Sequence, residues 1–482
     1  MSAVKEPAGV GIVETDQPRA LRGNMGILEL IFTVVAYNGP VVVFLGFIPA
    51  AILLGNGVGT PVTILLCGVV VTMVAVGLLK MTARLSRPGG FYALITSGLG
   101  RVPGLGAGFT ALTCYFVALI SVYALGGIAF DSMVQSLLNG PEVAWWVYAL
   151  FMLVAASALG YFNISFSAKV LTAFLGCELV LMAAYDVSVL AQGGASGIGF
   201  DSFTWAQFNT GSVSIGFLFA IGLFGGFEAT VIFRDEVKNP LRTIPAATYG
   251  VIALLAFMYA MTAWCFINAY GAAAIMDVVT NDLAGSASAS VQDYTGQFAY
   301  DVATIMLFTS SFALVLAAHN ITSRYMFNLA ADGIFPKALG EAHVRHVSPH
   351  RASVVLSVVS LFTVVVLAVV GVDTATIYAR LAGLYSYAFL MLLVFVSLAI
   401  GVYLLRGTDR AIGSAVSALV ACVILAATLI FATINFDLLT GATGTGKTVL
   451  LVIIWGVSVI GAVVAVGLRS ARPDVYARIG RQ

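Results

Sequence analysis

The chain has 482 residues, 60% of them hydrophobic and 9% charged, with a formal net charge of +1 and a mean hydropathy of +1.02. A water-soluble protein of this length needs far more surface charge, so a soluble multidomain protein is excluded. A net charge this small also offers no electrostatic footing for a nucleic-acid partner.

Residues 1–26 are polar, carry Pro7 and Pro18, and lack the basic start and apolar middle of a cleaved signal peptide. Twelve apolar segments follow, at roughly 27–54, 60–82, 105–137, 143–162, 165–191, 213–234, 244–269, 298–330, 352–371, 374–405, 411–435 and 448–468. Each is near the length of about 20 residues that carries a helix across the hydrocarbon core. The runs are continuous rather than alternating, which argues against a β-barrel. The pattern predicts an all-α polytopic membrane protein embedded in the lipid bilayer, with twelve transmembrane helices.

The basic residues orient these spans. With the N-terminus inside, all of the 23 except Arg380 and Lys447 fall on one side, from Lys5, Arg19 and Arg22 before span 1 to Arg469, Arg472, Arg478 and Arg481 in the tail. The opposite loops carry Asp131, Glu142, Asp201, Asp277, Asp282, Asp293, Asp373 and Asp437. The positive-inside rule then places both termini in the cytoplasm, in a multi-pass protein of the cytoplasmic membrane. The five cysteines, Cys67, Cys114, Cys177, Cys265 and Cys422, all lie within apolar segments. An odd, scattered set argues against a disulfide framework or a paired metal site, and no metal or other cofactor is expected.

Two spans are interrupted near their centres. Span 1 reads Tyr37-Asn38-Gly39-Pro40-Val41, and span 6 reads Phe224-Gly225-Gly226-Phe227-Glu228. Proline lacks an amide hydrogen and disfavours helix at the residue before it. Lipid supplies no substitute hydrogen bonds, so such breaks survive where they line a cavity. Matched breaks in the opening helices of two five-span halves mark a transporter's binding site. A charge at the centre of a span costs roughly 3 kcal/mol on insertion scales, which makes intramembrane ionisable residues functional candidates. Glu178 midway along span 5, Glu228 beside the span 6 break and Arg380 in span 10 qualify, while Asp186 and Glu29 sit nearer the membrane surfaces. His319 and Thr309-Ser310-Ser311 in span 8 read as packing residues, the hydroxyls also being suited to hold sodium.

The loop after span 2 reads Arg87-Pro88-Gly89-Gly90-Phe91-Tyr92, then Gly98-Leu99-Gly100-Arg101. Span 6 continues through Gly226-Phe227-Glu228 to Asp235-Glu236-Val237-Lys238-Asn239-Pro240 and Ile244-Pro245, and span 8 closes on Asn320, Ser323-Arg324 and Asp332-Gly333-Ile334-Phe335-Pro336. These motifs, in order over roughly residues 25–435, resemble those of the amino acid–polyamine–organocation (APC) transporter superfamily, bacterial amino-acid permease type. The resemblance implies the five-plus-five inverted-repeat fold of a bacterial leucine transporter. It divides the chain into a tail 1–26, repeats 27–191 and 213–405 joined by an outer loop 192–212, two extra helices in 406–468, and a tail 469–482. It implies substrate binding at Tyr37, Asn38, Gly39, Val41, Phe224, Gly225, Gly226 and Phe227.

The chain departs from the family pattern in three places. Members that carry amino acids receive the substrate carboxylate on amides of a small-residue stretch at the span 1 break, where the helix dipole favours an anion. Here Pro40 removes one donor and leaves Val41 and Val42. The family's gating aromatic falls on Gly222, with Phe224 two residues on. Its span 5 lysine falls nine residues after a basic residue, and here Lys169 is followed at that distance by Glu178. A carboxyl group in low dielectric resists ionisation, takes up a proton, and releases it when water or a cation arrives. Glu178 and Glu228 are thus the expected coupling residues, and Arg380 the candidate gate.

Gly441-Ala442-Thr443-Gly444-Thr445-Gly446-Lys447-Thr448 matches the phosphate-loop pattern. It lies between two spans on the outer side, without the strand and nucleotide-binding sheet that give the pattern meaning, so no ATP is expected. His319, His343, His346 and His350 form no catalytic constellation, and no enzyme is expected. No span carries the polar stripe of a channel. The reading is a secondary transporter of a small-molecule amino acid, polyamine or related amine, working by alternating access and coupled to protons. Sodium coupling, exchange, or a ligand-sensing homologue without transport are the alternatives.

Overall fold

The computed structural model describes residues 25–36, 38–85, 90–162, 168–232, 237–341, 343, 348–406 and 410–480, excluding the side chains of 168–171 and 232. Tyr37, Arg87-Pro88-Gly89, Asp235-Glu236 and His346 lie outside the described residues, as does the Lys169 side chain. The architecture is all-α. In chain order the helices are α1 (Ile27–Ala36), α2 (Pro40–Leu54), α3 (Thr60–Thr82), α4 (Phe91–Leu99), α5 (Arg101–Leu138), α6 (Trp145–Tyr161), α7 (Ala168–Gln192), α8 (Val213–Gly222) and α9 (Ala229–Ile232). They continue with α10 (Pro240–Tyr270), α11 (Ile275–Asn281), α12 (Ser286–Thr295), α13 (Gln297–Ala331), α14 (His350–Val370), α15 (Thr374–Leu405), α16 (Ile412–Ile434), α17 (Phe436–Thr440), α18 (Thr445–Ala471) and α19 (Pro473–Arg478).

Among the described residues nine helices are long and apolar enough to cross a membrane, ten if α1 and α2, bent by 45°, count as one span. The apolar helices α6 and α8 are shorter and stand where spans 4 and 6 were expected. Local chemistry sets several boundaries. Pro61 and Pro240 occupy first-turn positions, where a missing amide hydrogen goes unused. Ser212 and Asp373 cap α8 and α15 with side-chain oxygens that accept from the Ile215 and Ala375 amides. The middle of α2, Val43–Phe47, widens into a π turn, a distortion common at functional positions.

The centre of the bundle is aliphatic and aromatic. The long α5 packs on α13, α15 and α18, while α3 packs on α10 and α16. α14 and α18 sit at the periphery and turn Phe362, Val369, Val452 and Val463 outward, as lipid-facing helices do. Three ion pairs are present among the described residues, Arg351–Glu341, Lys447–Asp437 and Arg478–Asp474, and all lie at the ends of the bundle.

The family-like motifs meet on one face. Tyr92 of α4 donates to Asp332 Oδ2 at the end of α13 (3.0 Å), and the Gly480 amide of the tail donates to the Tyr92 hydroxyl (2.9 Å). The Arg101 guanidinium stands 5.3 Å from the Tyr476 ring centre and donates to the Ala477 carbonyl. Ile479 of the tail is buried in this cluster, and Val475 is buried beside Gly333.

Candidate functional site

Both breaks are real and adjacent. α1 stops at Ala36 and α2 starts at Pro40, with Gly39 between them in the left-handed region at φ +62°. α8 stops at Gly222 and α9 starts at Ala229; between them the amides of Gly225 and Phe227 bond to carbonyls three residues back. Gly226 holds φ +99°, a conformation that glycine adopts without strain. Tight turns of this kind leave carbonyls without helical partners. Asn38 satisfies two of them: its amide nitrogen donates to the Leu223 carbonyl (2.9 Å) and the Gly225 carbonyl (3.1 Å). Its own oxygen accepts from the Tyr259 hydroxyl of α10 at 2.5 Å. One side chain in the first break thus completes the backbone of the second, as a water-free interior requires.

Glu178 comes to the first break from α7. It is 4% exposed, and its Oε2 accepts from the Val41 amide at 3.3 Å while its Oε1 accepts from the Ser310 hydroxyl of α13. A cavity of about 10 Å³, enough for one water, lies beside it and is lined by Ala36, Gly39, Phe174, Leu175, Glu178, Thr309, Ser310 and Ala313. Glu228 stands at the second break. Its Oε2 accepts from the Gly226 amide (3.1 Å) and its Oε1 from the Tyr115 hydroxyl (3.4 Å). Tyr115 and Tyr325 have ring centres 5.3 Å apart, and Tyr325 and Tyr385 are both within electrostatic reach of the Glu228 carboxylate. Among the described residues no basic side chain pairs with Glu178 or Glu228, although each is a potential charge in a low-dielectric bundle.

The sequence as a whole carries the signature of one family: the amino acid permease profile matches residues 34–469. The chain belongs to the amino acid permease family. It is 24% identical over 358 residues to an uncharacterized transporter of Mycobacterium tuberculosis, covering 71% of this chain and 74% of the relative. It is 22% identical over 352 residues to the low-affinity putrescine importer PlaP of Escherichia coli K12, covering 71% and 75%. It is also 20% identical over 309 residues to human b(0,+)-type amino acid transporter 1, covering 62% and 61%. The permease is therefore a multi-pass transporter of amino acids or amines and not an enzyme.

The remaining expected residues of the permease fall in varied places. Val41 reaches the site through its amide, which Glu178 engages. Phe227 is fully buried and its carbonyl accepts from Thr230. Phe224 is also buried, but its ring points to α3, 3.5 Å from where a Cβ on Gly68 would stand. The absent aromatic at Gly222 does not enlarge the site, because Ser386 and Phe47 fill the space above that glycine. Arg380 lies away from both breaks, with its guanidinium against Gly441 of the turn between α17 and α18. Asp186, expected near a surface, is buried between α7 and α10, where Oδ2 accepts from Thr262 at 3.0 Å and Oδ1 has no partner. Chain position suggested water there, but the helix setting turns the residue inward. His319 is buried and shares a 2.8 Å hydrogen bond with Ser353, away from both breaks.

In the phosphate-loop look-alike, Lys447 donates to Asp437 (2.8 Å) and to the Ile434 carbonyl, closing the turn onto α16 and α17. That hydrogen bond holds the Asp437 carboxyl below the usual carboxylate range. Sequence reasoning missed Tyr115, Tyr259, Tyr325 and Tyr385. All sit inside apolar spans of a chain with 18 tyrosines, where no local pattern separates these four from the rest.

Proposed function

We propose that this permease is a secondary transporter that moves an amino acid or amine across the cytoplasmic membrane by alternating access, with a proton bound and released at Glu178. Both termini face the cytoplasm in this reading, and substrate binds between the span 1 and span 6 breaks at Asn38, Gly39, Gly225, Gly226 and Phe227, with Tyr37 contributing from span 1. The observation that carries it is Glu178 itself. It is a buried carboxyl with no basic partner among the described residues, held on the Val41 amide of the broken helix and on Ser310, beside a cavity that admits one water. A proton carried on this carboxyl leaves no charge in the closed bundle. Opening the break to water favours ionisation, so protonation and the conformation of the break are linked.

Family relatives leave the solute open between amines and amino acids: PlaP is a putrescine importer, and the human relative is an amino acid transporter. Ser310 and Thr309 also line the cavity, and hydroxyl-bearing side chains there make sodium the second reading for the coupling ion.

The test is uptake into proteoliposomes across a panel of amino acids and amines, with and without an inward proton gradient. Glu178→Gln mimics the protonated carboxyl, so this variant should keep substrate counterflow and lose acceleration by the gradient. A variant that still concentrates substrate with the wild-type dependence on pH removes Glu178 from coupling. Acceleration by a sodium gradient in place of a proton gradient selects the second reading.

A further inference from the structure

We infer that the solute of this permease is an amine that carries no carboxylate, bound through its ammonium group at Glu228, and that zwitterionic amino acids are excluded by Glu178. The inference rests on the binding region proposed above and narrows its substrate class.

A broken helix offers an amino acid's carboxylate one device, the free amides at the start of its second half, where the helix dipole favours an anion. In this chain that device is filled from within. Pro40 has no amide hydrogen, the Val41 amide donates to Glu178 Oε2, and the Val43 amide donates to the Gly39 carbonyl. A substrate carboxylate brought to Val42 would stand beside a carboxyl already seated on the neighbouring amide. The Val41 amide is taken by Glu178 in either protonation state, and a carboxylate at Val42 is opposed by a like charge when Glu178 is ionised. Among the described residues no basic side chain pairs with the carboxylates of either break to offer another place for it. Among the described residues the polar partners of the two breaks include Asn38, Tyr259, Ser310, Tyr115 and Tyr385, all neutral.

The second break has the opposite character. Among the described residues Glu228 receives neutral donors, the Gly226 amide and the Tyr115 hydroxyl. No described heavy atom lies within 4 Å of where a Cβ on Gly226 would stand, so the turn has room at the glycine whose amide holds this carboxylate. The Tyr115 hydroxyl donates to the carboxylate, and Tyr325 and Tyr385 stand within electrostatic reach. A buried carboxylate with phenol oxygens beside it attracts an organic ammonium through its charge and through charge-assisted hydrogen bonds. The two ends of the site thus accept a cation at one break and reject an anion at the other.

The experiment compares 1,4-diaminobutane with ornithine, the same diamine bearing one α-carboxylate. Both are tested on the purified wild-type permease by thermal shift and by competition in proteoliposome counterflow. Because like-charge juxtaposition in a desolvated site costs several kcal/mol, ornithine should bind at least about tenfold more weakly. Glu178→Gln, which removes the charge, should narrow that gap, and Glu228→Gln should weaken 1,4-diaminobutane binding at least about tenfold. Equal or tighter binding of ornithine by the wild type overturns the inference and leaves the transport reading intact. Unchanged affinity of Glu228→Gln for 1,4-diaminobutane overturns the placement of the ammonium. If neither the amine nor any amino acid of a full panel is bound or exchanged, both this inference and the transport reading fall.

Discussion

Asn38 shows how much one side chain does at the two breaks. Its amide nitrogen closes two orphaned carbonyls of span 6, and its oxygen holds Tyr259. Asn38→Asp keeps the shape but replaces two donors with acceptors that face carbonyl oxygens. An unsatisfied or repelled buried polar group costs about 1–3 kcal/mol, so the substitution should lower the melting temperature in detergent and abolish ligand binding. An unchanged melting temperature would show that the breaks are not tied through this residue. The asparagine was legible in sequence as part of an interrupted helix. Its partners were not, since Leu223 and Tyr259 lie 185 and 221 residues away along the chain. Glu178 was legible as an intramembrane charge for the same local reason. That it sits on the Val41 amide depends on how α7 is rotated against α2.

Among the helices, the tail element α19 gives the sharpest contrast between length and effect. It has six residues, too short to be stable alone, and its fixed position comes from Ile479, buried against α4, α5 and α13, and Val475, buried beside Gly333. Ile479→Asp would place a carboxylate in an apolar contact. The cheaper response is release of the tail, so the loss is bounded by the burial of these two side chains, about 2–5 kcal/mol. Limited proteolysis should then remove residues after Arg472 from the variant while sparing the wild type, with a modest fall in melting temperature. Equal protection of both proteins would mean that the tail is not held by this contact. The sequence marked 469–482 only as a polar end. Docking was invisible there because it needs Tyr92, Arg101 and Asp332 brought to one place by three separate helices.

For the whole molecule, the charge asymmetry along the chain predicts orientation. Single cysteines introduced in residues 1–26 and 473–482 of a background lacking the five native ones should resist a membrane-impermeant thiol reagent in intact cells and react after permeabilisation. Labelling of either tail from outside would reverse the orientation or change the span count. Chain order agrees with both ends lying on one face, since Met25 pairs with Val237 after span 6 and Gly480 bonds to Tyr92 after span 2.

The amino-acid sequence alone determined that this is a polytopic helical membrane protein, where most helices begin and end, and which two are broken. Those features follow from local composition, because apolar runs of fixed length must satisfy their own backbone in lipid, and Pro40, Gly39 and Gly226 interrupt that pattern wherever they stand. The family motifs were legible for the same reason, as short contiguous strings. Tertiary structure alone decided that the breaks meet, that Glu178 fills the Val41 amide, that Phe224 turns to α3, that Arg380 rests on Gly441, and that Asp186 is buried. Each depends on the rotation of one helix about its axis against a distant neighbour. In uniformly apolar helices little amphipathic pattern records that rotation, and interior packing settles it.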